Sequence, residues 1–359
     1  MDVLARRELV KQVGEEIVTD EDLGTLLSEK KHFIAYDGFE PSGTNIHIAQ
    51  GLLRAINVNK MIGAGAKFKI LVADWHAWAN NKMAGNLEHI QKVGKYLIEV
   101  WKACDMDLDN VEFVWANDLV TERDYWKKVM QIARNSTISR VVRCSQIMGR
   151  SDKEVMQASQ ILYPCMQCAD IFQLGAEVCQ LGMDQRKVNM LAREIGPSLG
   201  FWKPVIVSHH MLMGLKKPVA SNKSAVEKSI ELKMSKSIPD SAIFMTDSFE
   251  DIKRKINGAY CLEADIAENP VLEICKYIIF ESNKSFKIER PEKWGGNLEF
   301  ASYEELETSF AEKKLHPMDL KTATSTYLNS MLEPIRKKLE KNKTAQQLAE
   351  EIKEFKVTR

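Results

Sequence analysis

The chain of 359 residues has no net charge, because 50 lysines and arginines offset 50 aspartates and glutamates. No global field holds a polyanion, so any nucleic-acid contact must rest on local patches. Long apolar runs are missing too: none reaches the roughly 18 residues of a membrane-spanning helix. The segment from Met1 to Asp22 is charged throughout and lacks the apolar centre of a signal peptide. A soluble, cytoplasmic chain with no membrane partner is expected. Cysteine is scarce: seven, an odd number scattered over a long chain, argue against a disulfide framework. Cys165-x-x-Cys168 has the spacing of a redox or zinc motif. No second Cys or His pair stands at zinc spacing, however, and its neighbours are apolar, so the two read as small buried side chains. His209-His210 lacks the glutamate and helical spacing of a metalloprotease site. No metal site built from the chain's own ligands is expected. Internal repeats and low-complexity tracts are absent as well.

What is present is alternation. His32 to Tyr36 is a short apolar run that ends in the turn signal Asp37-Gly38. Lys67 to Ala73 and Val111 to Trp115 read as further strands, and Pro204 to Val207 as another. Between them Leu87, Ile90, Val93, Leu97, Val100 and Cys104 recur at helical spacing and give one apolar face. Thr121-x-x-Asp124 and Ser151-x-x-Glu154 read as capping boxes that open helices. Strands alternating with helices imply parallel βαβ units, hence a doubly wound, Rossmann-like α/β domain. Beyond residue 238 strand signals fade, and helix starts follow at Ser248-x-x-Asp251, Ser302-x-x-Glu305 and Thr344-x-x-Gln347. The expected organisation is an N-terminal helical segment over 1–30, a Rossmann-like α/β domain over 31–238 and a smaller helical C-terminal domain over 239–359.

Two stretches carry phosphate chemistry. Lys233-Met234-Ser235-Lys236-Ser237 packs two lysines and two serines into five residues, after a polar stretch from Ser221 to Ser229. Ammonium groups neutralise phosphate oxygens and hydroxyls hydrogen-bond them. A short Lys/Ser loop can also be a solvated turn, so a partner must be sought. It stands upstream, where turn-formers crowd Gly38 to Asn45 and a helix begins about Ile46, with His47 at its start. Small residues let backbone approach a ligand, and a helix N-terminus offers free N–H groups to an anion. The Gly-x-x-x-x-Gly-Lys spacing of a Walker loop is absent.

A third stretch carries specificity. Pro164 fits the first turn of a helix. Tyr163, Gln167 and Asp170 then share one face, at i, i+4 and i+7. Their neighbours are mainly apolar. The stripe is either an ordinary wet face or the lining of a ligand cavity, since buried polar groups must be paired. Asp170 can accept from a hydroxyl, and Tyr36 at its strand end can reach the same point. Tyr163 and Gln167 can face an α-amino group. Gln185, within Gly182 to Lys187, is a further polar finger.

The Lys233–Ser237 run resembles the KMSKS motif of class I aminoacyl-tRNA synthetases. His47 with its turn resembles their HIGH motif, with Ala49 and Gln50 in place of Gly and His; Gln50 can donate a hydrogen bond but cannot carry a proton. Tyr36 with Gly38 to Gly43, the Tyr163-Pro164 helix, Gly182 to Lys187 and Leu315 to Lys321 resemble the tyrosyl-tRNA synthetases of the archaeal and eukaryotic kind, over nearly the whole chain. The resemblance implies a ligase that uses L-tyrosine, ATP with Mg²⁺, and tRNA(Tyr), with no tightly bound cofactor. It implies tyrosine binding by Tyr36, Tyr163, Gln167, Asp170 and Gln185, with Tyr36 and Asp170 reading the phenolic hydroxyl. It implies ATP binding by Gly38, His47, Gln50, Lys233, Met234, Ser235, Lys236 and Ser237, with His47, Lys233 and Lys236 catalytic. For tRNA it implies Asp319 on the first anticodon base, His316 nearby, Trp294 as a stacking face, and Arg186 and Lys187 at the acceptor end. It also implies a homodimer, for which the helices around Tyr125 to Val142 are the candidate contact. A tryptophan-specific relative and a non-catalytic RNA-binding descendant of the same fold are the rival readings. The hydroxyl-reading pair stands against the first, and the two phosphate motifs against the second.

Overall fold

The structure is a computed structural model that describes residues 1–145, 157–217, 232–235 and 239–357. The Ser151-x-x-Glu154 cap, the stretch Ser221 to Ser229, Lys236 and Ser237 lie outside the described residues.

Six strands form the main sheet: β1 (Gly14–Val18), β2 (Phe33–Phe39), β3 (Ala66–Val72), β4 (Val111–Trp115), β5 (Val178–Gly182) and β6 (Val205–His209). Between and around them run α1 (Val3–Val13), α2 (Asp20–Glu29), α3 (Arg54–Gly63), α4 (Asp74–Ala79), α5 (Leu87–Ala103), α6 (Ala116–Leu119), α7 (Arg123–Arg134), α8 (Ile138–Cys144), α9 (Ala158–Gln173) and α10 (Arg186–Ile195). The strand order is β1-β6-β5-β2-β3-β4. All neighbours are parallel except β1, which pairs antiparallel with β6. The expected doubly wound sheet is therefore present, mixed at one edge.

The N-terminal segment is not only helical. β1 lies between α1 and α2, and its sequence, Gly-Glu-Glu-Ile-Val, suits an edge strand too polar to be read as one. Asp2 caps α1 by accepting from Ala5 N–H at 2.8 Å. Thr19 caps α2, whose first turn carries Asp20, Glu21 and Asp22, where the helix dipole favours negative charge. β5 also escaped the apolar pattern, because Gln180 stands at its centre.

Three helix starts move. α7 begins at Arg123, and the Thr121 hydroxyl donates back to Asp118 C=O at 2.7 Å instead of capping it. α9 begins at Ala158, so Pro164 lies inside the helix and not in its first turn. The helix expected near Ile46 opens as a π-helical turn, Ala49–Leu53, that runs into α3.

One core lies on each face of the sheet. The first includes Val58, Met61, Val93, Leu97 and Trp101. The second includes Tyr125, Ile132, Ile171 and Val188. Cys165 and Cys168 are buried in the second core, where burial pushes the Cys165 thiol up to about 11 and that of Cys168 higher still.

The C-terminal region holds α11 (Phe249–Asn257), α12 (Pro270–Ile274), a small hairpin of β7 (Phe286–Ile288) and β8 (Leu298–Phe300), and then α13 (Tyr303–Ala311), α14 (Pro317–Lys341) and α15 (Lys343–Ile352). Ser248 and Ser302 cap α11 and α13 as their spacing predicts. α15 starts one residue before Thr344, capped by Asn342. The hairpin is the strand element within the expected, mostly helical texture. α14 and α15 pack on α5, and the first core runs unbroken from the sheet into this region. No helix among the described residues is long and apolar enough to cross a membrane.

His210 fastens these parts together. Its Nδ1 lies 3.1 Å from Glu15 Oε2 in β1, and its Nε2 lies 3.0 Å from Glu273 Oε2 in α12. Its ring stacks on Tyr277 with centroids 4.1 Å apart. Burial opposes charge on the imidazole, but the hydrogen bonds and fields of both carboxylates raise its pKa to about 9. The free imidazole value is about 6.5. A raised folded pKa stabilises the fold fully below about 6.5, and that contribution is lost as pH rises through the folded value. His210→Asn should therefore be less stable than wild type at pH 6, with the gap closing as pH passes about 9, in denaturant unfolding at a series of pH values. A gap independent of pH would rule out the charged bracket.

Candidate active site

β2 and β5 pair only at Ala35 with Val178 and Tyr36 with Cys179. β2 nevertheless runs on to Phe39 beside β3, and β5 to Gly182 beside β6. The two strands therefore part at their C-terminal ends. The sheet order also reverses there, which is where open α/β sheets bind ligands.

One end of this opening is polar yet dry. Asp170, from α9, has no solvent exposure. Tyr125 OH donates to its Oδ1 at 2.9 Å, and His76 Nε2 lies 2.9 Å from its Oδ2. Burial disfavours charge on His76, but the Asp170 carboxylate outweighs it and the His76 pKa is raised. Tyr36 is buried beside them. Burial first, and then the Asp170 field, lift its phenol well above the ordinary value. Tyr163 sets its ring edge-on to His76 with centroids 5.0 Å apart. Burial and the nearby Glu40 raise its phenol likewise. Glu40 in turn accepts from Asn80 Nδ2 at 3.2 Å. Gln167 Nε2 donates to Gln185 Oε1 at 3.1 Å. The structure thus brings Tyr36, Tyr163 and Asp170 to one place, and Gln167 and Gln185 to each other.

The other end is charged. Lys233 Nζ meets Asp184 Oδ2 at 2.7 Å. Asp184 raises the lysine pKa against the effect of burial, and Glu40 adds to the rise. Burial works to raise the Asp184 carboxyl, but Lys233 overrides it and lowers the value. At the end of β2, Asp37 Oδ2 lies 2.9 Å from Arg54 Nε. Burial lifts Asp37 to about 6 against the pull of Arg54. Arg54 also reaches Gly38 C=O at 3.3 Å and lies 5.1 Å over the Trp101 ring. His209, at the end of β6, is pushed down to about 4 by burial and by Arg54, and its Nδ1 is 2.6 Å from Gln180 Nε2. A Cβ at Gly182 would sit 2.4 Å from Met211 Sδ and 2.7 Å from Asp184 Oδ1, so both side chains would have to move.

His47 is buried and opens the π turn, its carbonyl accepting from Gln50 and Gly51 N–H at 2.9 Å. Its backbone pairs with Phe244: Ile48 N donates to Ile243 C=O and Met245 N to Ile46 C=O, both at 2.9 Å. The His47 segment is thereby stitched to chain that follows Lys233. Gln50 gives its carbonyl to Trp101 Nε1 at 2.7 Å, and its side-chain Oε1 is buried with no hydrogen-bond donor among the described residues. Met234 is buried and Ser235 half-buried in the same region.

The residues expected to meet RNA fall into two groups. Arg186 is clasped by Glu16 of β1, its Nη2 2.9 Å from Oε1, while Lys187 beside it is exposed. Trp294 is 66% exposed, ahead of Gly295 in a left-handed turn. His316 caps α14, its Nδ1 accepting from Met318 N–H at 3.1 Å. Asp319 lies in the first turn of that helix, 3.9 Å from Arg290 Nη1. Arg290 also donates to Gly296 C=O at 2.9 Å, so it ties the Trp294 turn to the start of α14.

Sequence reasoning missed His76, Tyr125, Glu40, Asp37, Arg54, Asp184 and Arg290. A lone His after a strand and an Asp inside Gly182 to Lys187 carried no pattern of their own. Within the Tyr125 to Val142 stretch, the candidate contact between subunits, Tyr125 is itself fully buried against Asp170, while Met130 and Ile138 are exposed.

Residues 28–333 match the family described as tRNA synthetases class I (W and Y). The chain is 48% identical to cytoplasmic tyrosine–tRNA ligase 2 of Arabidopsis thaliana over 98% of its own length and 46% of that protein's. The Leishmania major tyrosyl-tRNA synthetase structure with tyrosinol is 42% identical, with a TM-score of 0.89, over 98% of this chain and 60% of that one. The chain thus spans about half the length of these two relatives. The Pyrococcus horikoshii tyrosyl-tRNA synthetase structure with L-tyrosine is 38% identical, with a TM-score of 0.90, over 98% of this chain and 100% of that one. With a family match across most of its length and close relatives of one specificity, this chain belongs to the tyrosyl-tRNA synthetases of class I, in their archaeal and eukaryotic branch.

Proposed function

We propose that the protein activates L-tyrosine with ATP and transfers the tyrosyl group to the 3′ end of tRNA(Tyr). The observation that carries the reading is Asp170, a carboxylate without solvent that stands with Tyr36, Tyr125 and His76 where β2 and β5 part. A carboxylate oxygen accepts more than one hydrogen bond, so Asp170 has capacity for a substrate hydroxyl beside its present partners. A buried acceptor left without its donor costs about 1–3 kcal/mol, which is why such a site rejects an amino acid lacking the hydroxyl. The tyrosinol and L-tyrosine complexes of the Leishmania and Pyrococcus relatives support the same choice.

In this reading Tyr36 and Asp170 read the phenol, and Tyr163, Gln167 and Gln185 face the amino end. A tyrosine carboxylate oxygen bonds to the α-phosphorus of ATP as the bond to pyrophosphate breaks. The tRNA ribose hydroxyl then takes the tyrosyl group and AMP leaves. Catalysis is positioning plus charge stabilisation, with no covalent enzyme intermediate. Lys233, Lys236 and His47 supply the charge; Ser235 and Ser237 supply hydrogen bonds; Gly38, Gln50 and Met234 shape the nucleotide's place. An entering phosphate replaces Asp184 as the partner of Lys233. Mg²⁺ arrives with ATP as part of that substrate.

The C-terminal region would hold the anticodon, with Asp319 accepting from a base edge, Trp294 stacking and His316 alongside. Lys187 and Arg186 would face the acceptor end, Arg186 by exchanging Glu16 for phosphate. The cytosol is the proposed compartment, as in the name of the Arabidopsis relative. The proposed assembly is a homodimer through the surface that carries Met130 and Ile138.

Tyrosine-dependent ATP–pyrophosphate exchange tests the activity, and exchange that depends on tryptophan instead would overturn it. Asp170→Asn keeps an acceptor for Tyr125 and should lower kcat/KM for tyrosine about 10–100-fold, from the loss of a charged buried partner. The KM for ATP should move far less; equal losses for both substrates would contradict the assigned pocket. Asp319→Ala should slow charging of tRNA(Tyr) about tenfold or more while exchange falls far less, and an unchanged charging rate removes Asp319 from the anticodon site. Sedimentation of the wild-type protein as a monomer at micromolar concentration would remove the dimer.

A further inference from the structure

The contacts that place Lys233 run outward to the C-terminal region. Gly214 N donates to Leu232 C=O and Met234 N to Leu212 C=O, both at 2.8 Å, with Met213 and Lys233 paired antiparallel between them. The lysine therefore takes its position from the backbone of residues 212–214. A side chain of α12 fixes that backbone in turn. Glu273 Oε2 accepts Met213 N–H at 2.9 Å and stands 3.0 Å from His210 Nε2. Leu215 is tied the same way, donating to Ser241 C=O at 3.0 Å and accepting from Tyr260 N–H at 2.8 Å. α12 is not free to drift: Val271, Leu272 and Ile274 are fully buried among C-terminal side chains, and Asn269 caps the helix. Glu273 is thus a fixed acceptor, anchored in one region and aimed at the Met213 backbone that pairs with Lys233 in another.

We propose that Glu273 is a positioning residue for ATP activation: it holds Met213 so that Lys233 presents its ammonium at the phosphate end of the site. Because Glu273 belongs to the region that would hold the anticodon, the same contact makes the position of Lys233 depend on that region. The proposal rests on the reading that Lys233 serves ATP. It concerns geometry, since Glu273 touches neither substrate.

Glu273→Ala removes the acceptor for Met213 N–H and the partner of His210 together. Glu273→Gln keeps an acceptor oxygen and removes only the charge. In tyrosine-dependent pyrophosphate exchange with the full chain, Glu273→Ala should raise the KM for ATP at least about fivefold, the scale of coupling between linked sites, and move the KM for tyrosine less than about twofold. Glu273→Gln should recover most of the ATP effect. Amide hydrogen exchange gives a readout independent of activity: Met213 and Met234 N–H should exchange faster in Glu273→Ala and at the wild-type rate in Glu273→Gln. A folded Ala variant with unchanged ATP KM, or with unchanged protection at Met213 and Met234, overturns the proposal. If the Ala variant does not fold, the Gln variant decides: retained ATP KM with retained protection supports the backbone tie, and an ATP KM raised at least about fivefold with protection intact overturns it. If wild type shows no exchange with tyrosine, the ATP reading falls and the amide rates alone judge the Glu273 contact.

Discussion

β2 and β5 stop pairing after Tyr36 and Cys179, and the candidate site is built in the gap that follows. Each strand keeps its outer neighbour beyond that point, so the sheet stays whole while its middle opens. A gap in a sheet interior exposes polar side chains to a dry environment, and such groups must find one another. Asp170, Tyr125, His76 and Tyr36 do so at one end; Asp37, Arg54, Asp184, Lys233 and His209 do so at the other. Without the parting of the strands neither cluster would have a place.

The two ends solve the burial problem differently, and the difference suits two kinds of ligand. At the Asp170 end a single carboxylate is balanced by a phenol and an imidazole, groups that give directional hydrogen bonds. Direction discriminates a hydroxyl from its absence. At the Lys233 end cations stand against carboxylates in pairs. Such pairs exchange partners when a stronger anion arrives, which suits a polyphosphate. The neutral overall charge of the chain hid this local separation.

The segments that form the charged end are distant in sequence but joined by backbone. His47 pairs with Phe244, Lys233 with Met213, and the first core continues from the sheet through α5 into α14 and α15. The C-terminal region is therefore packed on the α/β part through α5, not hung from it. His210 closes the arrangement by drawing β1 and α12 to one imidazole.

Much of this was legible in the sequence wherever the deciding interaction is local. β2, β3 and β4 are apolar runs bounded by turn residues. Ser248 and Ser302 cap helices through contacts three residues away. Tyr163, Gln167 and Asp170 share a face because a helix repeats every 3.6 residues. β1 and β5 were not legible, because an edge strand tolerates glutamates and a buried strand can carry Gln180 when His209 faces it. Nor were the partners of the site residues: Tyr125 reaches Asp170 from 45 positions away, and Asp184 reaches Lys233 from 49. The alternating elements, the lysines and serines of the 233–237 run and the polar stripe on α9 are written in the order of residues alone. Folding alone sets Tyr125 and His76 against Asp170, Glu16 against Arg186, and Glu273 against the Met213 N–H opposite Lys233. Each of those depends on which distant groups share a dry space, and one-dimensional spacing carries no record of that.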